Sequence, residues 1–201
     1  RRVSGGNISV EGIRKRLREI IVEKSLSFGK FVLASGKESS YYLDCRKATL
    51  HPEGLYCISK LFLKKMEDCE EVVDAIGGPM IGADPLVAGV VLQSHVENNP
   101  VEGFIVRKEL KTHGTMKKIE GNLKEGCNVA IVDDVVTTGG SIITSIEEVE
   151  SLGCKVVLIL SVVDRGEGGK EIFQGKKYNY QPIFTIDEIL GDVTTPTGVK
   201  R

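Results

Sequence analysis

Residues 129–163 constrain this chain more than any other stretch. They begin with a short apolar run, Val129-Ala130-Ile131-Val132, pass through two acids, two threonines and two glycines, and continue into a helical pattern over 141–152. Ile142, Ile143, Ile146 and Val149 share one face of that helix, and Gly153 is placed to stop it. A second apolar run follows at 156–163. Strand, helix and strand at this spacing pair in parallel through a right-handed crossover. Both strand runs are rich in β-branched residues and do not alternate with polar ones, as expected of strands buried on both faces. The pattern predicts an α/β class, with a mostly parallel sheet flanked by helices.

The rest of the chain extends this plan. Apolar runs at 72–76 and 101–106 supply further strands, the first expected to stop at Gly77-Gly78-Pro79. Helical patterns run over 10–24, with Ile13, Leu17, Ile20 and Ile21 on one face, and over 55–66 and 86–95. Two short strands joined by a polar turn are expected at 28–33 and 41–44. Thr185-Ile186-Asp187-Glu188 reads as a capping box before a short helix. The expected organisation is one domain over 10–201, its core at about 51–179. A small hood is expected from the N-terminal strands and the C-terminal tail, about 10–50 and 180–201. Residues 1–9 are expected to form a disordered arm or remnant outside the fold.

Composition excludes several classes. Of 201 residues 41 % are hydrophobic and the net charge is −1, so no global field favours nucleic acid or an anionic membrane. The sequence contains no apolar run of about eighteen residues, the length of a spanning helix, and residues 1–7 lack the apolar segment of a signal peptide. The five cysteines are odd in number and show no two-residue spacing of a zinc or redox site. Reduced thiols in a cytoplasmic protein are expected. His51, His95 and His113 are too scattered in sequence for a metal cage.

In open parallel sheets ligands bind at the carboxyl ends of strands, which directs attention to Asp133-Asp134-Val135-Val136-Thr137-Thr138-Gly139-Gly140-Ser141. Glycines let the backbone approach an anion closely, the helix start supplies free N–H groups, and three hydroxyls add donors. Together they form a seat for a phosphate monoester. The two acids suit neighbouring sugar hydroxyls, or a divalent cation with its waters. A strand ending in Asp-Asp also occurs beside the phosphate loop of P-loop enzymes, but this chain has neither G-x-x-x-x-G-K-[ST] nor G-x-G-x-x-G. The reading is a ribose phosphate.

The segment 129–141 closely resembles the phosphoribosyl pyrophosphate (PRPP) motif of type I phosphoribosyltransferases. Arg107-Lys108-Glu109-Leu110-Lys111-Thr112-His113-Gly114 places three cations and an imidazole just past a strand end. It matches the R-K-x-x-K-x-H-G catalytic loop of orotate phosphoribosyltransferases. Flanking Gly114 and Gly121 suit a mobile lid, and the charges suit a pyrophosphate leaving group. Residues 31–36 with Ser40-Tyr41-Tyr42 resemble the family's N-terminal element. Residues 78–86 resemble its pyrophosphate-side turn, and Val163-Asp164-Arg165 the place where it holds orotate. An arginine there can grip the acceptor's carboxylate with two parallel hydrogen bonds. One departure is Ala34, where some family members carry a lysine that acts on PRPP; Lys37 is the substitute considered.

This resemblance implies orotate phosphoribosyltransferase activity within pyrimidine biosynthesis. Lys111, His113, Asp133 and Asp134 would be catalytic. Arg107, Lys108, Lys111, His113 and residues Asp133, Asp134, Val135, Val136, Thr137, Thr138, Gly139, Gly140 and Ser141 would bind PRPP, and Tyr42, Leu43, Thr137 and Arg165 would bind orotate. Magnesium would be held through PRPP, with Asp133 or Asp134 reaching it by way of water rather than by direct ligation. A homodimer is implied, the 107–121 lid acting in the neighbouring subunit, with no nucleic-acid or membrane partner. The alternatives are a phosphoribosyltransferase for another nucleobase and a non-catalytic PRPP-binding regulator.

Overall fold

The computed structural model describes residues 9–32, 36, 38–108 and 118–191. Ala34, Lys37, Lys111, His113 and Gly114 lie outside them.

Helix α1 (Val10–Ile20) starts where the Ser9 side chain accepts the Gly12 N–H, and it buries Ile13, Leu17 and Ile20. A π turn over Ile21–Ser25 delivers the chain into an antiparallel hairpin, β1 (Leu26–Val32) and β2 (Glu38–Leu43). A single turn, α2 (Arg46–Thr49), leads to α3 (Pro52–Glu67). Proline suits the first turn of α3, and His51 caps it by accepting the Gly54 N–H at Nδ1, 3.2 Å away. His51 is therefore occupied structurally.

The main sheet alternates with helices: β3 (Ala75–Pro79), α4 (Ala83–Val96), β4 (Glu102–Val106), β5 (Ile119–Gly121), β6 (Asn128–Val136), α5 (Gly140–Glu150), β7 (Lys155–Asp164), α6 (Gly169–Gly175), β8 (Tyr180–Thr185) and α7 (Ile186–Leu190). Its six strands lie in the order β5-β4-β3-β6-β7-β8. Only the β4–β5 pair is antiparallel. The α/β class and mostly parallel sheet expected from the sequence are present. One face packs on α1, α3 and α4, with Leu17, Phe62, Leu86, Val132 and Leu160 in a shared core. The other packs on α5 and α6, around Ile131, Ile142, Ile146 and Phe173. Burying each such side chain is worth roughly 1.5–3 kcal/mol, which explains why β6 and β7 read as continuous apolar runs.

Three expectations change. β3 does not stop at Gly77 but runs through Gly77-Gly78-Pro79, all buried. A Cβ at Gly77 would strike the Phe104 ring, and one at Gly78 the Val132 carbonyl, so these glycines serve close strand packing. Residues 180–185, read as part of the hood, are hydrogen-bonded as the edge strand of the main sheet, where Pro182 is tolerated because an edge has a free side. Gly121, read as a lid hinge, is paired with Phe104 in β5. The capping box is present: Thr185 Oγ1 accepts the Glu188 N–H while Glu188 accepts the Thr185 N–H.

Candidate active site

The sheet reverses its strand order between β3 and β6, the point where such sheets bind ligands. A cleft of about 590 Å³ opens over it. Its base is the end of β6 and the turn 79–82, which contains a cis Met80–Ile81 peptide. Tyr42 and Leu43 of the hairpin, Lys108 just past β4 and Arg165 just past β7 form the walls.

Strand β6 continues through the acids instead of stopping at Val132: Asp133 pairs with Ser161 and Val136 with Asp164. Both carboxylates are thereby fixed on a strand end. The Asp134 N–H donates to Asp133 Oδ1 and the Val135 N–H to Asp134 Oδ1, each at 2.9 Å. Gly82 lies so close that a Cβ there would run into both carboxyl groups. Burial, then repulsion from Asp134, pushes Asp133 up to about 8; burial pushes Asp134 up as well. Lys108 acts against the shift at Asp133 and Arg46 against that at Asp134. The pair is a crowded set of acceptor oxygens suited to hydroxyl donors or a hydrated cation.

Beyond the acids, Val135, Val136, Thr137, Thr138, Gly139, Gly140 and Ser141 line a smaller pocket of about 60 Å³ at the start of α5. Gly139 is the N-cap, with φ +79°, a left-handed conformation that glycine adopts freely. No side chain caps this helix, which leaves its first N–H groups and the positive end of its dipole for an anion. The loop is braced from behind. The Gly169 N–H donates to the Thr137 carbonyl at 3.0 Å, and a Cβ at Gly139 would lie 2.7 Å from Phe173 Cζ.

Beside this loop, the Arg165 side chain is only 15 % exposed. Its Nε lies 3.1 Å from Glu167 Oε1 but out of line, so that buried nitrogen has no hydrogen-bond partner. The guanidinium sits over the Tyr41 ring, 6.0 Å from its centroid, and the Arg165 N–H is anchored on the Val136 carbonyl at 2.9 Å. A planar cation held this way fits a carboxylate.

The structure thus brings Tyr42, Leu43, Lys108, Asp133, Asp134, Thr137 and Arg165 to one cleft and the anion loop to its edge. Arg107 follows β4, with Nη1 3.5 Å from Glu120 Oε1, while Lys111 and His113 fall outside the described residues. Asp44, Cys45 and Arg46 also line the cleft and were missed from sequence. The available signal was an acid and an arginine two residues apart directly after a strand. Cys45 is buried, and burial raises its thiol well above the usual range, as for a packed rather than a nucleophilic cysteine. None of the five cysteines forms a disulfide.

Comparison with known proteins bears on this arrangement. Residues 50–192 match the model of the phosphoribosyl transferase domain. An orotate phosphoribosyltransferase of Pyrococcus horikoshii is 42 % identical over 170 residues, covering 85 % of this chain and 89 % of the relative. One from Nostoc sp. is 38 % identical over 181 residues, 90 % of this chain and 86 % of the relative. Among solved structures, Mycobacterium tuberculosis orotate phosphoribosyltransferase in complex with Fe(III) dicitrate superposes with a TM-score of 0.78 at 32 % identity, covering 88 % of this chain and 98 % of that one. Its complex with PRPP gives 0.74 at 29 % identity, with the same coverage. With likeness on this scale over nearly the whole length of both partners, the chain belongs to the orotate phosphoribosyltransferases, within the wider phosphoribosyl transferase domain family.

Proposed function

We propose that the chain transfers the ribose 5-phosphate of PRPP to N1 of orotate, giving orotidine 5′-monophosphate and pyrophosphate. The observation that carries this reading is Arg165: its side chain, only 15 % exposed, lies over the Tyr41 ring with Glu167 beside Nε but no hydrogen bond there, and it lines the same cleft as the acid pair, next to the anion loop. A purine acceptor has no carboxylate to meet it.

In this reaction the chain mainly positions groups and offsets charge. Thr137 to Ser141 and the first N–H groups of α5 hold the 5′-phosphate. Asp133 and Asp134 accept from the ribose hydroxyls and favour the positive character that the ring gains as the C1′–oxygen bond to pyrophosphate breaks. N1 of orotate then forms its bond to C1′ from the opposite face. Tyr42 and Leu43 frame the pyrimidine, and Arg165 grips its carboxylate. Arg107, Lys108, Lys111 and His113 close on the pyrophosphate and exclude water, limiting hydrolysis of PRPP.

Among the described residues no group of three or more acid, histidine or cysteine side chains could cage a metal ion. The crowded acid pair nevertheless fits magnesium held through PRPP oxygens, with Asp133 or Asp134 reaching it through water. Bound there, the ion would neutralise the leaving pyrophosphate.

In the proposed homodimer, the lid that would serve the neighbouring subunit ends before β5 and not at 121. Such a dimer is supported by the outer face of α4. Ala88, Leu92 and Val96 are exposed there, in line with exposed Ile81 at the cleft.

The deciding assay is loss of orotate absorbance with PRPP and magnesium, beside adenine, hypoxanthine, xanthine and uracil. Turnover with orotate alone is expected, and turnover only with a purine overturns the reading. Arg165→Ala should raise the orotate KM about tenfold or more, as expected for losing a charged hydrogen bond, and change the PRPP KM little. An unmoved orotate KM would remove Arg165 from the acceptor site.

A further inference from the structure

The turn Pro79-Met80-Ile81-Gly82, which the resemblance assigns to the pyrophosphate side of the cleft, carries no charge of its own. Among the described residues lining that cleft, the cations are Arg46, Lys108 and Arg165. Arg165 stands past β7, over the Tyr41 ring, and Lys108 lies just past β4 in the segment read as a lid. Arg46 differs from both. It follows the hairpin at the start of α2, and its side chain is held from one edge by Asp44. Nε donates to Oδ1 at 2.9 Å, Nη2 to Oδ2 at 3.4 Å, and the Arg46 backbone N–H also donates to Oδ1, at 3.2 Å. Asp44 itself is tucked in, its side chain 18 % exposed, while that of Arg46 is 54 % exposed. The neighbouring Arg46 guanidinium, ahead of all other causes, pulls the Asp44 carboxyl down once burial is set against it.

A guanidinium carries five N–H donors in a planar fork. Clamping the Nε edge fixes the plane and leaves the Nη1 edge without a hydrogen bond among the described residues. Because Asp44 offsets most of the charge, the free edge acts as an oriented pair of donors more than as a point charge. Arg46 lines the same cleft as Gly82 of the uncharged turn and as Asp134, which Gly82 touches.

We propose that Arg46, clamped by Asp44, is a fixed binding residue for the diphosphate of PRPP, supplying from the hairpin the donors that the turn 79–82 lacks. This rests on the transferase reading above and adds a site to it.

The test compares Arg46→Gln, Arg46→Lys and Asp44→Asn with the wild-type enzyme. Wild-type turnover of orotate with PRPP comes first, since its absence would sink the reaction assignment and not the role of Arg46. In Arg46→Gln the PRPP KM should rise about tenfold, the size expected of one lost charge-assisted hydrogen bond. Its orotate KM should stay within about twofold of the wild-type value. By calorimetry, inorganic pyrophosphate should bind Arg46→Gln more weakly while ribose 5-phosphate binds as before. Arg46→Lys should recover part of the loss. Asp44→Asn, which keeps the arginine but frees it, should show the same split to a smaller extent. An unchanged PRPP KM in Arg46→Gln, a rise in orotate KM of equal size, or equal weakening of pyrophosphate and ribose 5-phosphate overturns the proposal. If Arg46→Gln fails to fold, the same three readings on Arg46→Lys and Asp44→Asn decide it.

Discussion

Asp133 has a cost in the ligand-free protein. Its carboxyl titrates near 8 in the fold, against about 4 in an unfolded chain. A raised folded value means that this group's stabilising contribution is complete below about pH 4 and is lost as the pH climbs towards 8. Asp133→Asn should therefore raise the Tm of the ligand-free protein at pH 8 by a few degrees, roughly 2–4 °C for each kcal/mol in a domain of this size. The gain should fade towards pH 4, while turnover drops on the order of a hundredfold or more. Calorimetric scans of both proteins across that range would check the sign; a Tm that falls equally at every pH would refute it. At this scale sequence and structure agreed unevenly. The hydroxyls, glycines and acids of 133–141 were legible because consecutive residues build that seat. Asp44 and Arg46 were not, because nothing in their own segment says that β6 lies beneath them. Gly82 was named only as part of a turn, since its closeness to two carboxylates from another strand is a tertiary fact.

Helix α6 shows why an element can matter to a site it does not line. It is short, was not read from the sequence, and contributes one large buried side chain, Phe173, fully covered between Gly139 and the edge of Tyr180. Phe173→Leu keeps most of the volume, so the expected loss of stability is below about 1.5 kcal/mol. Yet the brace behind Gly139 would loosen, and affinity for ribose 5-phosphate should fall several-fold while orotate affinity holds. Titration calorimetry with each ligand separates these; parallel losses would mean that α6 supports the fold alone. The elements legible in sequence were those with a strong internal period or run: α1, α3, α5, β6 and β7. Those missed, α2, β5, α6 and β8, are short. Their apolar residues make sense only against the faces they cover, as with Pro182 on an edge strand.

At the scale of the molecule, α4 is apolar on both sides. Leu86, Val87 and Val90 face the core, but Leu92 and Val96 are 67 % and 63 % exposed on the outside. A helix of this kind is normally covered on both faces. Leu92→Glu should leave the Tm of the isolated subunit nearly unchanged and shift the proposed dimer to monomer in sedimentation. If wild-type and variant sediment alike, that face is not the contact. The α/β plan itself followed from the spacing of two buried strands around one helix. The allotment of 180–185 to a hood did not survive placement, because only pairing with β7 decides which sheet a strand joins.

The hairpin β1–β2 forms a sheet of its own, apart from the six-stranded one. Two-stranded sheets are marginal in isolation. The tip of this one is thinly covered, with Val32 75 % exposed, while Leu26 and Leu43 are buried at its base. Heat should consequently fray this tip, which carries Val32 at the edge of the cleft, while the core remains intact. The enzyme would then stop working at a temperature below the one at which it melts, and cooling would restore it at once, with no refolding step between.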